Sequence, residues 1–265
     1  MTRRHVTFEC DGETLVGTLD EGDRGIGLLI VTGGNELRAG AFSGQAEIAR
    51  KLAGKGFPVF RFDRRGVGDS GGENRGFRSA GPDIAAAFAT FREQAPGLRR
   101  IAAYGLCDGA AALLLNGGSA CDALVLANPW TMDADEGQNH SPSAIRQRYG
   151  AKLANPREWL RAARGGVSLR KLGRGIKRAI AHADLESDLL TRLRKGALQF
   201  DGRIRFLVSG RDRAGLHFAM AWGEDERVSM REGADHAFSS EADHAWLREQ
   251  LLAALQEQAR QLDMR

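Results

Sequence analysis

Tyr104-Gly105-Leu106-Cys107-Asp108-Gly109 joins an apolar run, Arg100 to Tyr104, to an alanine- and leucine-rich segment, Ala110 to Leu115. The run predicts a short buried strand and the segment a buried helix, so the glycines bracket an abrupt strand-to-helix turn. In the pattern G-x-Nu-x-G the glycines let two backbones approach, while the central residue is held on a strained turn. Cys107 occupies the nucleophile position. A thiol there sits at a helix N-terminus, whose dipole favours the thiolate. A small buried cysteine in an ordinary α/β turn has the same spelling, and the flanking chain decides between the two.

Upstream, His5 to Cys10 and Thr14 to Leu19 alternate in polarity around Asp11-Gly12, a hairpin signal. Gly27 to Val31 is continuously apolar, as a strand buried on both faces should be, and runs into the turn Thr32-Gly33-Gly34-Asn35. Ala41 to Leu52 has helical spacing. Phe57 to Asp63 reads as the next strand, followed by a glycine-rich loop, Arg64 to Gly72. That loop could be plain surface. Pro82 to Gln94 predicts a helix with proline in its first turn.

Downstream, Asp122 to Ala127 reads as another buried strand, closed by Asn128-Pro129. The strand signal then lapses until Ile204 to Gly210. Between residues 146 and 205 there are sixteen basic and five acidic side chains. Such a stretch is too long for a structureless loop inside a compact domain. A helical cap insertion over 130–202 is expected, with 1–129 and 203–265 as the core. The basic cap is either a solvated face or a receiver of an anionic group. After Arg211-Asp212 come a short helix (Ala214 to Trp222), a last strand (Glu226 to Arg231), the loop Gly233 to Phe238 and a long C-terminal helix (Glu241 to Gln261). The alternation of strands and helices predicts an α/β fold. Its central sheet is mostly parallel, with an N-terminal antiparallel hairpin and helices on both faces.

With 265 residues and a 42% hydrophobic share, the chain has material for one large core. No apolar run reaches the roughly 20 residues a membrane span needs, and no apolar leader is evident. Three cysteines make no disulfide framework, so free thiols and a cytoplasmic location are expected. A net charge of +4 says little about nucleic acid, and the basic segment lacks interleaved aromatics for base stacking. No nucleic-acid partner, metal or cofactor is expected. Oligomeric state stays open.

Cys107, Asp212 and His236 each follow a predicted strand, at the sheet edge where open α/β folds place their sites. The order nucleophile, acid, histidine suits a triad. Cys107 must ionise to attack, His236 can take or pair with its proton, and Asp212 can fix the ring. Asp212 could also be an ordinary turn residue. Asp235 competes for the acid role, although as the neighbour of His236 it should point elsewhere. Backbone N–H groups of Asp108 and of the Gly34-Asn35 turn are the oxyanion candidates. A carboxylate at Asp108 is unexpected, because a negative charge beside the sulfur would oppose the thiolate.

These residues resemble the α/β-hydrolase superfamily over nearly the whole chain apart from the cap. The motifs are Val31 to Asn35, Phe62 to Ser70 (like D-x-R-G-x-G-x-S), the elbow at Cys107, and Gly233 to His236. More closely, Gly105 to Asp108, Gly33 to Asn35 and Asp235 to Ser239 are similar to exosortase A system-associated hydrolases, type 1. That resemblance implies a hydrolase encoded near bacterial exopolysaccharide and protein-sorting systems. Serine is the usual superfamily nucleophile; the cysteine elbow is similar to that of the dienelactone hydrolases.

The thiol also narrows the substrate. With a free pKa of about 8.5, a thiolate leaves a tetrahedral intermediate more readily than an alkoxide does. Thioesters, enol esters and other activated acyl groups suit it best, whether on a small molecule or on a carrier. An acyl hydrolase of esterase or thioesterase type is the expected activity. The alternatives are an acyltransferase with the same triad and a hydrolase fold that only binds.

Overall fold

The computed structural model describes residues 2–116, 120–132 and 187–264. Strands β1 (Arg3–Cys10) and β2 (Glu13–Asp20) form an antiparallel hairpin in which Cys10 pairs with Glu13. Asp11 and Gly12 turn it with φ of 51° and 81°, the positive-φ pair that matches strand twist.

β2 joins β4 (Val59–Phe62) antiparallel. The rest is parallel: β3 (Ile26–Val31), β5 (Arg100–Leu106), β6 (Ala123–Ala127), β7 (Arg203–Ser209) and β8 (Val228–Arg231). The eight strands run in the order β1-β2-β4-β3-β5-β6-β7-β8. This is the architecture expected from the alternating pattern.

Period-two alternation sends the two faces of β3 into separate cores. Leu29 and Val31 pack with α2 (Gly81–Gln94), α3 (Asp108–Leu115), α4 (Asp188–Gln199) and α5 (Arg213–Trp222). Leu28 and Ile30 pack with α1 (Gly44–Ala53) and α6 (Glu241–Asp263). A central strand covered on both faces must be apolar throughout, and all six residues of β3 are buried.

The chain divides into two compact units, Met1–Thr131 with Asp188–Arg265, and Met132–Ser187. The cap expected over 130–202 is therefore too long at its C-terminal end. Leu189 and Leu193 of α4 are fully buried in the first core beside α3, so this helix belongs to the sheet unit. Residues 133–186 of the expected cap lie outside the described residues. No helix among the described residues is long and apolar enough to cross a membrane.

The loop after β4 is a staple rather than plain surface. Buried Asp63 accepts the Arg38 N–H at 2.6 Å and pairs with the Arg38 guanidinium. Ser70 Oγ donates to Asp63 O at 2.7 Å and accepts the Val16 N–H at 2.9 Å, tying the loop to the hairpin. Arg65 reaches Asp83 of α2 at 2.6 Å. The loop thus closes on three neighbouring elements.

Candidate active site

Cys107 sits between β5 and α3 with φ 57° and ψ −120°, a conformation that costs a non-glycine residue strain. Its N–H donates to Ala127 O at 2.9 Å, and its carbonyl accepts from Trp130 N at 3.2 Å and Ala111 N at 3.2 Å. The flanking glycines make this turn possible. A Cβ on Gly105 would lie 2.7 Å from Ala110 Cα, and one on Gly109 2.5 Å from Val31 O. Any side chain at either position would push α3 off the sheet.

His236 follows β8 and meets Asp212, which follows β7, with Nδ1 3.0 Å from Asp212 Oδ2. Cys107 interacts with the ring as well. Together Asp212 and Cys107 raise the imidazolium to about 10, against the opposing effect of burial. Burial would push the Asp212 carboxyl up, but hydrogen bonds from His236 and from the Gly215 and Ala214 N–H groups win and hold it low. Asp235 faces elsewhere, as expected: it accepts the Ser239 N–H at 2.9 Å and the Ser239 hydroxyl.

The other two thiols are both shifted upward. Burial, reinforced by Asp83, pushes Cys10 up to about 11, and burial with Asp122 pushes Cys121 up to about 12. Both stay protonated at neutral pH.

One expected oxyanion donor is corrected. The Gly34 N–H already donates to Asp108 Oδ1 at 2.6 Å, so it is spent. Among the described residues, the N–H groups of Asn35 and Asp108 carry no internal hydrogen bond. The Asp108 carboxylate also differs from expectation. It is paired with Arg64, whose Nη2 lies 3.3 Å from Oδ1 and donates to Gly34 O as well. Its charge is offset by a guanidinium rather than set against the sulfur.

Sequence reasoning missed two residues near the site. Asn128, buried and at φ 46°, donates from Nδ2 to Ser209 Oγ at 2.9 Å and to His236 O at 3.1 Å. Its Oδ1 accepts the Ser209 N–H at 2.8 Å. It therefore links β6, β7 and the histidine loop, and its place at a strand's C-terminal end was the available signal. Glu36, just after the Gly33-Gly34-Asn35 turn, is the second. Burial raises its carboxyl, His236 opposes that shift, and its Oε2 has no partner among the described residues.

The arrangement can generate a charged nucleophile, shuttle one proton and offer two backbone donors to a developing oxyanion. The sequence matches the alpha/beta hydrolase fold family over residues 28–231. The chain belongs to that family and, as a member of it, is a hydrolase. The alpha/beta hydrolase GrgF from Penicillium sp. sh18 is similar in structure, with 17% identity, a TM-score of 0.65, and 97% of this chain and 99% of that one covered. An esterase of Pyrococcus furiosus, Pf2001, is similar at 16% identity and a TM-score of 0.64, with 97% and 91% covered. XC6422 from Xanthomonas campestris, described as a serine hydrolase without a lid, is similar at 14% identity and a TM-score of 0.58, with 97% and 95% covered. No curated protein matches the sequence.

Proposed function

We propose that the chain is a cysteine-dependent acyl hydrolase of ester or thioester substrates, with Cys107 as nucleophile, His236 as acid and base, and Asp212 as its orienting carboxylate. The observation that carries this is His236, held by Asp212 at 3.0 Å and interacting with Cys107 at the strained turn. His236 rests as the imidazolium, and the attacking form of Cys107 is its thiolate. The thiolate attacks the acyl carbon, a C–S bond forms, and the Asn35 and Asp108 N–H groups hold the oxyanion. As the intermediate collapses, His236 gives its proton to the leaving group. Neutral His236 then takes a proton from water, the resulting hydroxide attacks, and the C–S bond breaks. Acid leaves and the ion pair is restored.

The esterase description of the Pyrococcus furiosus relative supports the reaction class. The resemblance of the elbow to exosortase A system-associated hydrolases directs the substrate search to activated acyl groups of exopolysaccharide assembly, in a reducing cytoplasm. Steady-state turnover of matched thioesters and oxyesters tests the reading. Cys107→Ala is expected to abolish turnover, and Cys107→Ser to retain a weak activity shifted toward oxyesters. Full activity in Cys107→Ala would refute it.

A further inference from the structure

We propose that Asp108 is a positioning residue that latches the loop after β3, with Arg64 as its counter-charge, and so fixes the Asn35 N–H beside the nucleophile. The inference rests on the reading of Cys107 as nucleophile and goes beyond it. Three segments meet at one carboxylate: the loop after β3 through Gly34, the loop after β4 through Arg64, and the elbow through Asp108 itself. Both polar groups of Gly34 are engaged, its N–H by Asp108 and its carbonyl by Arg64.

Gly33 is packed on the elbow, where a Cβ would lie 2.5 Å from Leu106 O, but Gly34 has φ +55° and a Cβ built there would meet nothing among the described residues within 4 Å. Crowding therefore seats the first residue of the turn and not Gly34. Gly34 is held by its two polar bonds, beside the Glu36 N–H to Gly33 O bond at 3.1 Å and one exposed tie from Asn74 Nδ2 to Asn35 Oδ1 at 2.7 Å. Side-chain exposure is 5% for Arg64 and 19% for Asp108, so the Arg64 bonds are largely shielded from solvent screening while the Gly34–Asp108 bond is exposed; charge-assisted bonds are among the stronger kinds. An oxyanion donor works only when it is already aimed. A carboxylate one residue past the sulfur thus serves the donor loop, and the guanidinium cancels the repulsion it would otherwise exert on the thiolate.

The charge effect and the positioning effect have different signatures in Arg64→Met and Asp108→Ala, the latter removing both the charge and the acceptor for the Gly34 N–H. Alkylation of Cys107 by iodoacetamide needs a thiolate and no oxyanion hole; acyl turnover needs both. Losing Arg64 leaves an unpaired carboxylate near the sulfur, and losing the Asp108 charge leaves an unpaired guanidinium. Alkylation at neutral pH should slow in Arg64→Met and hold or quicken in Asp108→Ala. With a short-chain aryl thioester, both variants should lose about 10- to 100-fold in kcat with KM within about threefold, since a donor is misplaced rather than removed. The double variant should lose little more than the worse single one. An unchanged kcat in Asp108→Ala, or a parallel fall of its kcat and alkylation rate, would overturn the proposal. Failure of the underlying reading shows separately, as turnover that survives complete alkylation of Cys107 in the unsubstituted protein.

Discussion

Asp212 Oδ2 stands 3.0 Å from His236 Nδ1 and, through the same oxygen, accepts the Gly215 N–H at 2.8 Å. One carboxylate oxygen both caps α5 and orients the ring, so the acid is held by a helix rather than by a loose turn. A sheet-edge carboxylate that caps the following helix is placed with little freedom. That precision is what a base-orienting group needs.

The two roles separate by substitution. Asp212→Asn keeps an acceptor for the Gly215 N–H but removes the charge, so the cap survives, the stability lost is the share of the His236 ion pair that Asp212 supplies, and kcat falls about 10²- to 10⁴-fold. Asp212→Ala should also cost about 1 kcal/mol from the lost cap. Chemical denaturation alongside turnover checks both.

An NMR titration of the His236 ring should give a midpoint near 10. Asp212→Asn should lower it most and Cys107→Ala less, following the order of the two effects. The folded value lies above the unfolded one of about 6.5. The ion pair's contribution to stability is therefore full below that pH and is lost as pH rises through about 10. A midpoint near 6.5 in the unsubstituted protein would contradict this.

Gly109→Ala should destabilise by about 1–3 kcal/mol, although alanine favours a helix by about 1 kcal/mol elsewhere. The added Cβ would meet Val31 O at 2.5 Å and Thr32 O at 2.7 Å, both backbone atoms of the central strand and its loop. A urea melt with an unchanged midpoint would show that α3 stands further from β3.

Leu193→Ala tests the boundary of the core. Leu193 is fully buried on α4, and truncation should cost about 2–5 kcal/mol. A loss below 1 kcal/mol by the same urea melt would return α4 to the insertion.

The fold was legible because its signals are local. Asp11-Gly12 states a hairpin, the apolar run into β3 a doubly covered strand, and each of Cys107, Asp212 and His236 follows a strand end. The errors came where the deciding contact is distant. Arg192, Arg194 and Lys195 made α4 look like part of a basic cap, while Leu189, Leu190 and Leu193 on its other face bury it in the core. The fate of the Gly34 N–H depends on a carboxylate 74 residues away, and the Asp108 charge on an arginine 44 residues away. No spacing rule within the chain reveals such pairs.

Intact-mass spectrometry of the protein mixed with an activated acyl thioester tests the central claim most directly. The account predicts a transient mass increase equal to one acyl group, mapped by peptide digestion to Cys107 and absent from Cys107→Ala. Turnover with no acyl adduct on Cys107 under rapid quench, or an adduct that forms equally in Cys107→Ala, would contradict it.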